Sequence, residues 1–583
     1  MREPPQRLSL FYTHAMPKKR SFLLENLKIY RIEIFFLLLA LLPALYIAFG
    51  NPNTILDWYN SDDGFLYFQV ARNLAAGHGF TFDGINPTNG FHPLWLFILT
   101  PIFALSRTDP LLPLRILIVV SALLSAGSAI LIYRILRQYT SEWIATLVGM
   151  LWIVLPSIHS TTVHTGVEAG INAFALLLFW GKLTSFTPDS SPYKNLPRLA
   201  ILGLLASLAL FARLDNIFLV SFGGLWLWLR LWQPPGKSEQ NAWLWRLQAG
   251  FAFFGPLTLL MAVYLIWNYL SFGMVMPISG EVKVWWGTLK NTVYGFRIRS
   301  LAGFAAQFLT DDTQLGPWSL ATTPLWAAAK WMPAAVGQVV SLSSRRVAFV
   351  ALGGMLALLG SALVWAQREF VVKAARALGL LPFFLGCFAQ IAYYKFTGSM
   401  AQQPWYWIAE MIFLLFAGGL LLHAFFQQTS PLLPKNLGRI IRVIEFAIPG
   451  IASILFLVFI QSAVRVPGDG SNHFYINRAR WLEANTEEGA RIAITGAGNL
   501  AYFVRGRTII NMDGLMNTYD YLLAMQAGNG TDYLAQLGVD YIFGTSYILT
   551  ETNPYAPMLD GHLEPYKDYV FADRKRPLWH FVP

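Results

Sequence analysis

The sequence predicts a polytopic α-helical membrane protein of about eleven transmembrane helices followed by a C-terminal extracytoplasmic α/β domain. Three observations carry that reading. Of the 583 residues, 55% are hydrophobic and only 13% are charged, a balance foreign to soluble domains. Apolar runs recur along the chain, and the Lys and Arg residues gather in alternate short loops between them. From about Arg465 the long apolar runs stop, and short strand and helix patterns replace them. A formal charge of +11 would point a soluble chain toward nucleic acid. Here the basic loops account for it, and no nucleic-acid partner is expected. The single cysteine, Cys387, permits no intrachain disulfide and says nothing of redox compartment.

Residues 1–31 are basic, through Arg2, Arg7, Lys18, Lys19, Arg20, Lys28 and Arg31, and precede an apolar run at 32–50. The basic stretch is long for a signal peptide and no small-residue cleavage pattern follows, so this reads as a cytoplasmic N-terminus and an uncleaved first span. Further runs lie near 111–133, 143–158, 167–182, 199–212, 214–232, 249–270, 347–366, 377–394, 405–425 and 441–463, completing a transmembrane domain over 32–464. The loops predicted inside carry Arg134 and Arg137; Lys182, Lys194 and Arg198; Arg230, Lys237 and Arg246; Arg368, Lys373 and Arg376; and Lys435, Arg439 and Arg442. The short outside loops carry far fewer cations, chiefly Arg72, Arg213 and Lys395. An odd number of spans then places the C-terminal domain, 465–583, on the same outer side as the first loop, 51–93. The stretch 94–106 is too short to span easily, contains Pro101, and reads as interfacial or re-entrant. Residues 271–346 read as a second long external loop whose tryptophans (Trp285, Trp286, Trp318, Trp326, Trp331) suit the headgroup level.

The first loop is the most informative stretch. Ser61 is a natural N-cap, with Asp62 and Asp63 in the first turn, where the helix dipole favours negative charge. Phe65, Phe68, Ala71, Leu74 and Ala75 give one apolar face, and Gly77 suits the helix end. Asp83-Gly84, Asn86-Pro87 and Asn89-Gly90 follow as turn signals, and His92-Pro93 opens the next apolar run. A polar helix and an ordered loop between spans suit a site at the membrane surface. Ser-Asp-Asp ahead of an apolar run is equally an ordinary helix start, so sidedness must decide.

In the tail, helices are expected at Ser471–Ala484, Asn517–Gln526 and Asp532–Leu537, and strands at Arg491–Thr495, Thr508–Asn511 and Asp540–Gly544. Gly496-Ala497-Gly498 after a strand faintly echoes a dinucleotide fingerprint, but its third glycine is absent.

Charged residues at span ends default to functional hypotheses. Glu168 stands where an outer loop enters a span, and Arg213 and Asp215 flank a very tight outer turn. Lys283 follows a span, and Lys395 with Trp405, Tyr406 and Trp407 marks another outer corner. Singly, each is as readily a helix-end charge; together they converge on one membrane face. His78, His92, His159 and His164 form no HExxH or Cys/His pattern, so no metal ligands are assigned and no cofactor is expected. A divalent metal has no support beyond the Asp311-Asp312 pair, which reads more simply as a solvated loop. No Walker motif appears, which argues against ATP hydrolysis.

The order of these parts, one basic-flanked span, an outer loop with paired acids, many spans and a trailing α/β domain, resembles the GT-C superfamily of integral-membrane glycosyltransferases. SDDGFLYFQVARNLAAGHGFTFDGINPTNGFHPLW (61–95) looks like the first external loop of its bacterial polyprenyl-phosphate-sugar-dependent members, relatives of protein O-mannosyltransferases and of aminoarabinose and arabinofuranosyl transferases. HTGVEAG, FARLDN, PISGEVK and, in the tail, RWLEANTEEGARIAITGAGNLAYFVRGRTIINMDGLMN look like further segments of that group. The resemblance implies a polyprenyl-phosphate-sugar donor, no nucleotide sugar, and inverting transfer to a hydroxyl of a glycan, lipid or protein acceptor at the outer face of a bacterial inner membrane. It implies that a motif carboxylate is the general base, for which Asp62 is the first choice, with Asp63 orienting acceptor or sugar. Arg213 and Lys283 are the expected partners of the leaving phosphate, with Lys395 and Arg72 behind them. Asn86, Asn89, His92, Glu168, Asp215 and Tyr406 complete the expected substrate-binding set. The rival readings are a flippase for lipid-linked sugars, whose marks would be inverted repeats and midplane charges, and a non-catalytic envelope-assembly protein.

Overall fold

The computed structural model describes residues 30–583 apart from 60, 107, 190–191, 233–241, 296, 311–314, 336–341, 399–402, 430–436, 464–467, 469 and 572–573. Among the described residues six helices are long and apolar enough to cross a membrane: Arg31–Ala48, Leu111–Leu136, Lys194–Ala212, Ala242–Phe272, Ser344–Ala366 and Pro404–Thr429. Two bent pairs, Glu142–Val154 with Pro156–His164 and Arg368–Ala377 with Leu380–Thr397, raise the count to eight if each is one span. The chain is thus a multi-pass membrane protein. Other expected spans form shorter helices, such as Ala169–Thr184 and Ile217–Arg230, below the ~20 residues an untilted crossing needs.

Residues 271–346, read from sequence as a long loop, instead carry helices Ile278–Trp286, Leu301–Thr310 and Ser319–Ala335. The first-loop helix runs Asp62–Ala76, with Ser61 extended before it and Gly77 left-handed after it (φ 87°). Ser61 makes no side-chain capping bond. Residues 94–106 form the helix Pro93–Ala104, which packs on Asp62–Ala76.

The tail holds a five-stranded sheet of β1 (Arg491–Ile494), β2 (Thr508–Asn511), β3 (Tyr541–Phe543), β4 (Leu563–Phe571) and β5 (Arg574–Phe581), in the order β2-β1-β3-β5-β4. β1 lies parallel to β2 and β3, with Ile492 opposite Ile509 on one side and Tyr541 on the other. Ile492, Ala493 and Ile494 are all buried, as expected of a central strand covered on both faces. β5 pairs antiparallel with β3 and β4. The edge strand β4 carries Pro565 and Lys567 at a register shift, a charged and irregular edge that resists further pairing.

Two elements hold this domain against the membrane part. Phe65 on the first-loop helix meets Tyr475, Tyr502 and Phe503 of the tail at ring-centroid distances of 5.3, 5.5 and 5.6 Å. On the other side Ile278, Val282 and Trp286 share an apolar cluster with Ile510, Met512 and Tyr521. The backbones approach closely. A Cβ on Gly498 would lie 2.3 Å from the Asp62 carbonyl oxygen, and one on Gly90 2.0 Å from the Leu515 carbonyl oxygen. Only glycine permits either approach.

Candidate functional site

A cavity of about 300 Å³ opens where the first-loop helix, the tight turn at 213–215, the helix Ile278–Trp286 and the tail converge. Seven sequence-predicted residues line it: Asp63, His92, Glu168, Arg213, Asp215, Lys283 and Tyr406. Trp405 of the predicted outer corner joins them, as do Tyr67, Tyr394, Leu515 and Met516, which sequence did not single out.

Its floor is a buried ion group. The Arg213 guanidinium bonds Asp215 through Nε and Nη2, the latter at 2.7 Å, and Glu168 through Nη1. Tyr394 donates its hydroxyl to Asp215 at 2.6 Å, and the Tyr406 ring lies 4.7 Å from the guanidinium carbon. Burial is the largest influence on Glu168 and Asp215 and pushes both up, but Arg213 together with the hydrogen bonds each carboxylate accepts outweighs it and holds both below their ordinary values. Burying such charges is tolerable only because each is paired and hydrogen-bonded. Arg213 is thereby committed to two carboxylates, which sets it apart from an open phosphate ligand.

Lys283 is placed differently. Its ammonium donates to the Tyr406 hydroxyl at 2.5 Å, and its other strong influence is Asp63. Burial opposes the charge, but Tyr406 and Asp63 more than compensate, so the ammonium stays protonated. Burial raises the Asp63 carboxyl above the usual range, Lys283 pulls it back, and Asp513 and Glu168 push it up again. Burial brings His92 down to about 4, leaving its ring neutral at neutral pH. Its Nδ1 is buried and has no hydrogen-bond partner among the described residues.

Asp62 does not line the cavity. Its carboxylate accepts from the Gly498 backbone N–H (3.0 Å), the Asn499 N–H (2.7 Å) and the Asn499 side-chain amide (2.5 Å). Burial pushes it up to about 7 despite those donors, with Asp63 adding to the rise. Arg72, the expected reserve phosphate ligand, donates to the Tyr502 and Ala501 carbonyls at 2.7 and 3.1 Å. These two residues therefore grip opposite ends of the short helix Gly498–Phe503, the anion at its N-terminus and the cation at its C-terminus, as the peptide dipoles favour.

The other predicted ligands outside the cavity have local work. Asn86 bonds the Asp83 carboxylate through backbone and side chain. Asn89 accepts from the Ile278 N–H at 2.9 Å and donates to the Met276 carbonyl, fixing the entry to the helix that carries Lys283. The Lys395 carbonyl accepts from Ile298, and its side chain is not among the cavity walls. Asp513 was missed altogether: its carboxylate is bonded by the Gly496 N–H and by the Tyr294 and Tyr555 hydroxyls, tying the tail to the 271–346 segment. An acid two residues after a strand end was its only signal. Among the described residues no group of three or more His, Cys, Asp or Glu is arranged to hold a metal ion, and Asp311-Asp312 lies outside those residues.

Comparison with known proteins bears on the fold. The crystal structure of the Archaeoglobus fulgidus oligosaccharyltransferase, in complex with Zn and sulfate, matches 93% of this chain and 72% of its own, with a TM-score of 0.51 and 12% identity. ArnT from Cupriavidus metallidurans in the apo state matches over 94% and 97%, with a TM-score of 0.48 and 12% identity. A family model described as "Domain of unknown function (DUF8728)" matches residues 466–580. No curated protein matches by sequence. The chain is a multi-pass membrane protein of GT-C-like fold.

Proposed function

We propose that the protein is a glycosyltransferase that moves a sugar from a polyprenyl-phosphate donor to an acceptor hydroxyl, with Asp63 as general base. The observation that carries this reading is that Asp63 and Lys283 line one partly enclosed cavity and influence each other's charge, while the other buried charges there, Arg213, Glu168 and Asp215, pair among themselves. In the step proposed, the acceptor oxygen bonds to the anomeric carbon while its proton passes to the Asp63 carboxylate. The bond from that carbon to the phosphate oxygen breaks, and its electron pair leaves with the polyprenyl phosphate. Lys283 is the cation available to the charge that develops there, and the single displacement proposed inverts the anomeric carbon. His92 and Tyr67 are suited to hold sugar or acceptor hydroxyls, and the Arg213 group keeps the floor rigid.

The GT-C-like fold supports this reading, since the matched Archaeoglobus protein is an oligosaccharyltransferase. The basic N-terminal side and the loop bias support an orientation with the cavity facing away from the cytoplasm, and a bacterial inner membrane is the location proposed. The test is transfer of radiolabelled sugar from a panel of polyprenyl-phosphate sugars to cell-envelope glycans by the purified protein. Transfer is expected with at least one donor. Movement of intact donor across vesicles without transfer would instead favour a flippase.

A further inference from the structure

The end of the bundle opposite the cavity carries a second built feature. The helix Ile217–Arg230 begins at the cavity, where Ile217 and Phe218 line it, and ends at Arg230 roughly 20 Å away. The helix Leu380–Thr397 returns over a similar length, from Leu380 to the cavity residues Tyr393 and Tyr394. Across the far end lies the short helix Arg368–Ala377, bent 64° from the helix that follows it. Between it and Arg230 is a groove of about 810 Å³.

Its charge is one-sided. Arg230, Arg368, Lys373 and Arg376 line the groove against a single carboxylate, Glu369. Among the described residues none of the four cations forms an ion pair with a carboxylate. The remaining wall is apolar: Trp226, with the Arg230 guanidinium 4.7 Å from its ring, and the exposed side of Val372. Nearby, Arg368 lies over the exposed ring of Trp365 at 5.5 Å. An excess of cations at one membrane face follows from the orientation of insertion. Their convergence on one groove with an indole wall, on an amphipathic helix lying across the bundle end, does not.

We propose that this groove binds the phosphate headgroup of an anionic phospholipid in the leaflet opposite the cavity. Cations at the end of a membrane-spanning bundle are placed to meet lipid phosphate, and tryptophan beside them suits the headgroup level. A soluble anion would need no apolar wall beside the cations. The inference rests on the chain spanning a membrane and is independent of its glycosyltransferase reading.

The experiment is native mass spectrometry of the full chain in detergent, titrated with dioleoylphosphatidylglycerol or dioleoylphosphatidylcholine. The wild type should retain one phosphatidylglycerol in clear preference to phosphatidylcholine. Lys373→Gln/Arg376→Gln should weaken that binding about tenfold or more, since each cation near a lipid surface contributes roughly fivefold. Lys373→Gln alone should lose an intermediate amount, which keeps the test open should the double variant fail to fold. Equal retention of both lipids, or undiminished phosphatidylglycerol binding by a folded variant, would overturn the proposal. So would displacement of the lipid by millimolar inorganic phosphate, which would assign the groove to a soluble anion.

Discussion

Asp62 and Asp63 are adjacent in the chain and sit in unlike surroundings. Asp62 is bound by three N–H donors of the tail and closes a domain junction. Asp63 turns into the cavity, where a lysine faces it. Successive residues on a helix point about 100° apart, so one turn of chain serves two faces. The difference teaches that the junction and the cavity share a backbone: whatever seats the tail on Asp62 also orients Asp63. The same pairing recurs at Lys283, whose helix packs its apolar side, Ile278, Val282 and Trp286, on the tail.

This contrast can be broken at several points. The largest stability loss is expected for Arg213→Met, which leaves Glu168 and Asp215 buried without their cation. About 3–5 kcal/mol should be lost, read as a lower thermal midpoint in detergent. Next is Asp62→Ala, which strands the Gly498 and Asn499 donors. About 2–3 kcal/mol of stability should go, with faster proteolysis between the membrane part and the tail. Gly498→Ala tests the same junction sterically and should loosen it further, because the added carbon meets backbone at 2.3 Å. The smallest effect, and the one that separates cavity from junction, is on pH dependence. A base works ionised, so activity should fall as pH drops through the Asp63 value, which burial sets above the ordinary carboxylate range. Lys283→Gln removes the charge that holds that value down, so the acid limb of the pH–rate profile should move to higher pH while the thermal midpoint changes little. An unmoved limb would separate Lys283 from the base.

Much of this was legible in the sequence. The three- to four-residue spacing of Phe65, Phe68, Ala71 and Leu74 marked the first-loop helix, and the runs at Arg491 and Thr508 marked the parallel strands. Seven of the predicted site residues meet in one cavity because sidedness sorted them onto one face. What could not be read was which acid faces inward. That is decided by Gly498 and Asn499, over four hundred residues downstream, and no local pattern carries it. Arg72 and Arg213 were expected to meet a phosphate, yet Arg72 is taken by Ala501 and Tyr502, far off in the chain, and Arg213 by Glu168 as well as by its near neighbour Asp215. The β4–β5 hairpin was invisible because LEPYKDYVF is an edge strand, polar and interrupted by proline, without the alternation of a half-buried strand. The 271–346 segment hid its helices behind scattered tryptophans and short apolar stretches.

The most direct measurement sets Asp62→Asn beside Asp63→Asn, recording sugar transfer and thermal midpoint on the same preparations. Asp63→Asn should lower turnover about 10²–10⁴-fold at an unchanged midpoint, as loss of a general base does. Asp62→Asn should lower the midpoint and reduce turnover only as far as the tail is loosened. The reverse pattern, with Asp62→Asn inactive but fully stable and Asp63→Asn active, would contradict the division of labour between the two carboxylates.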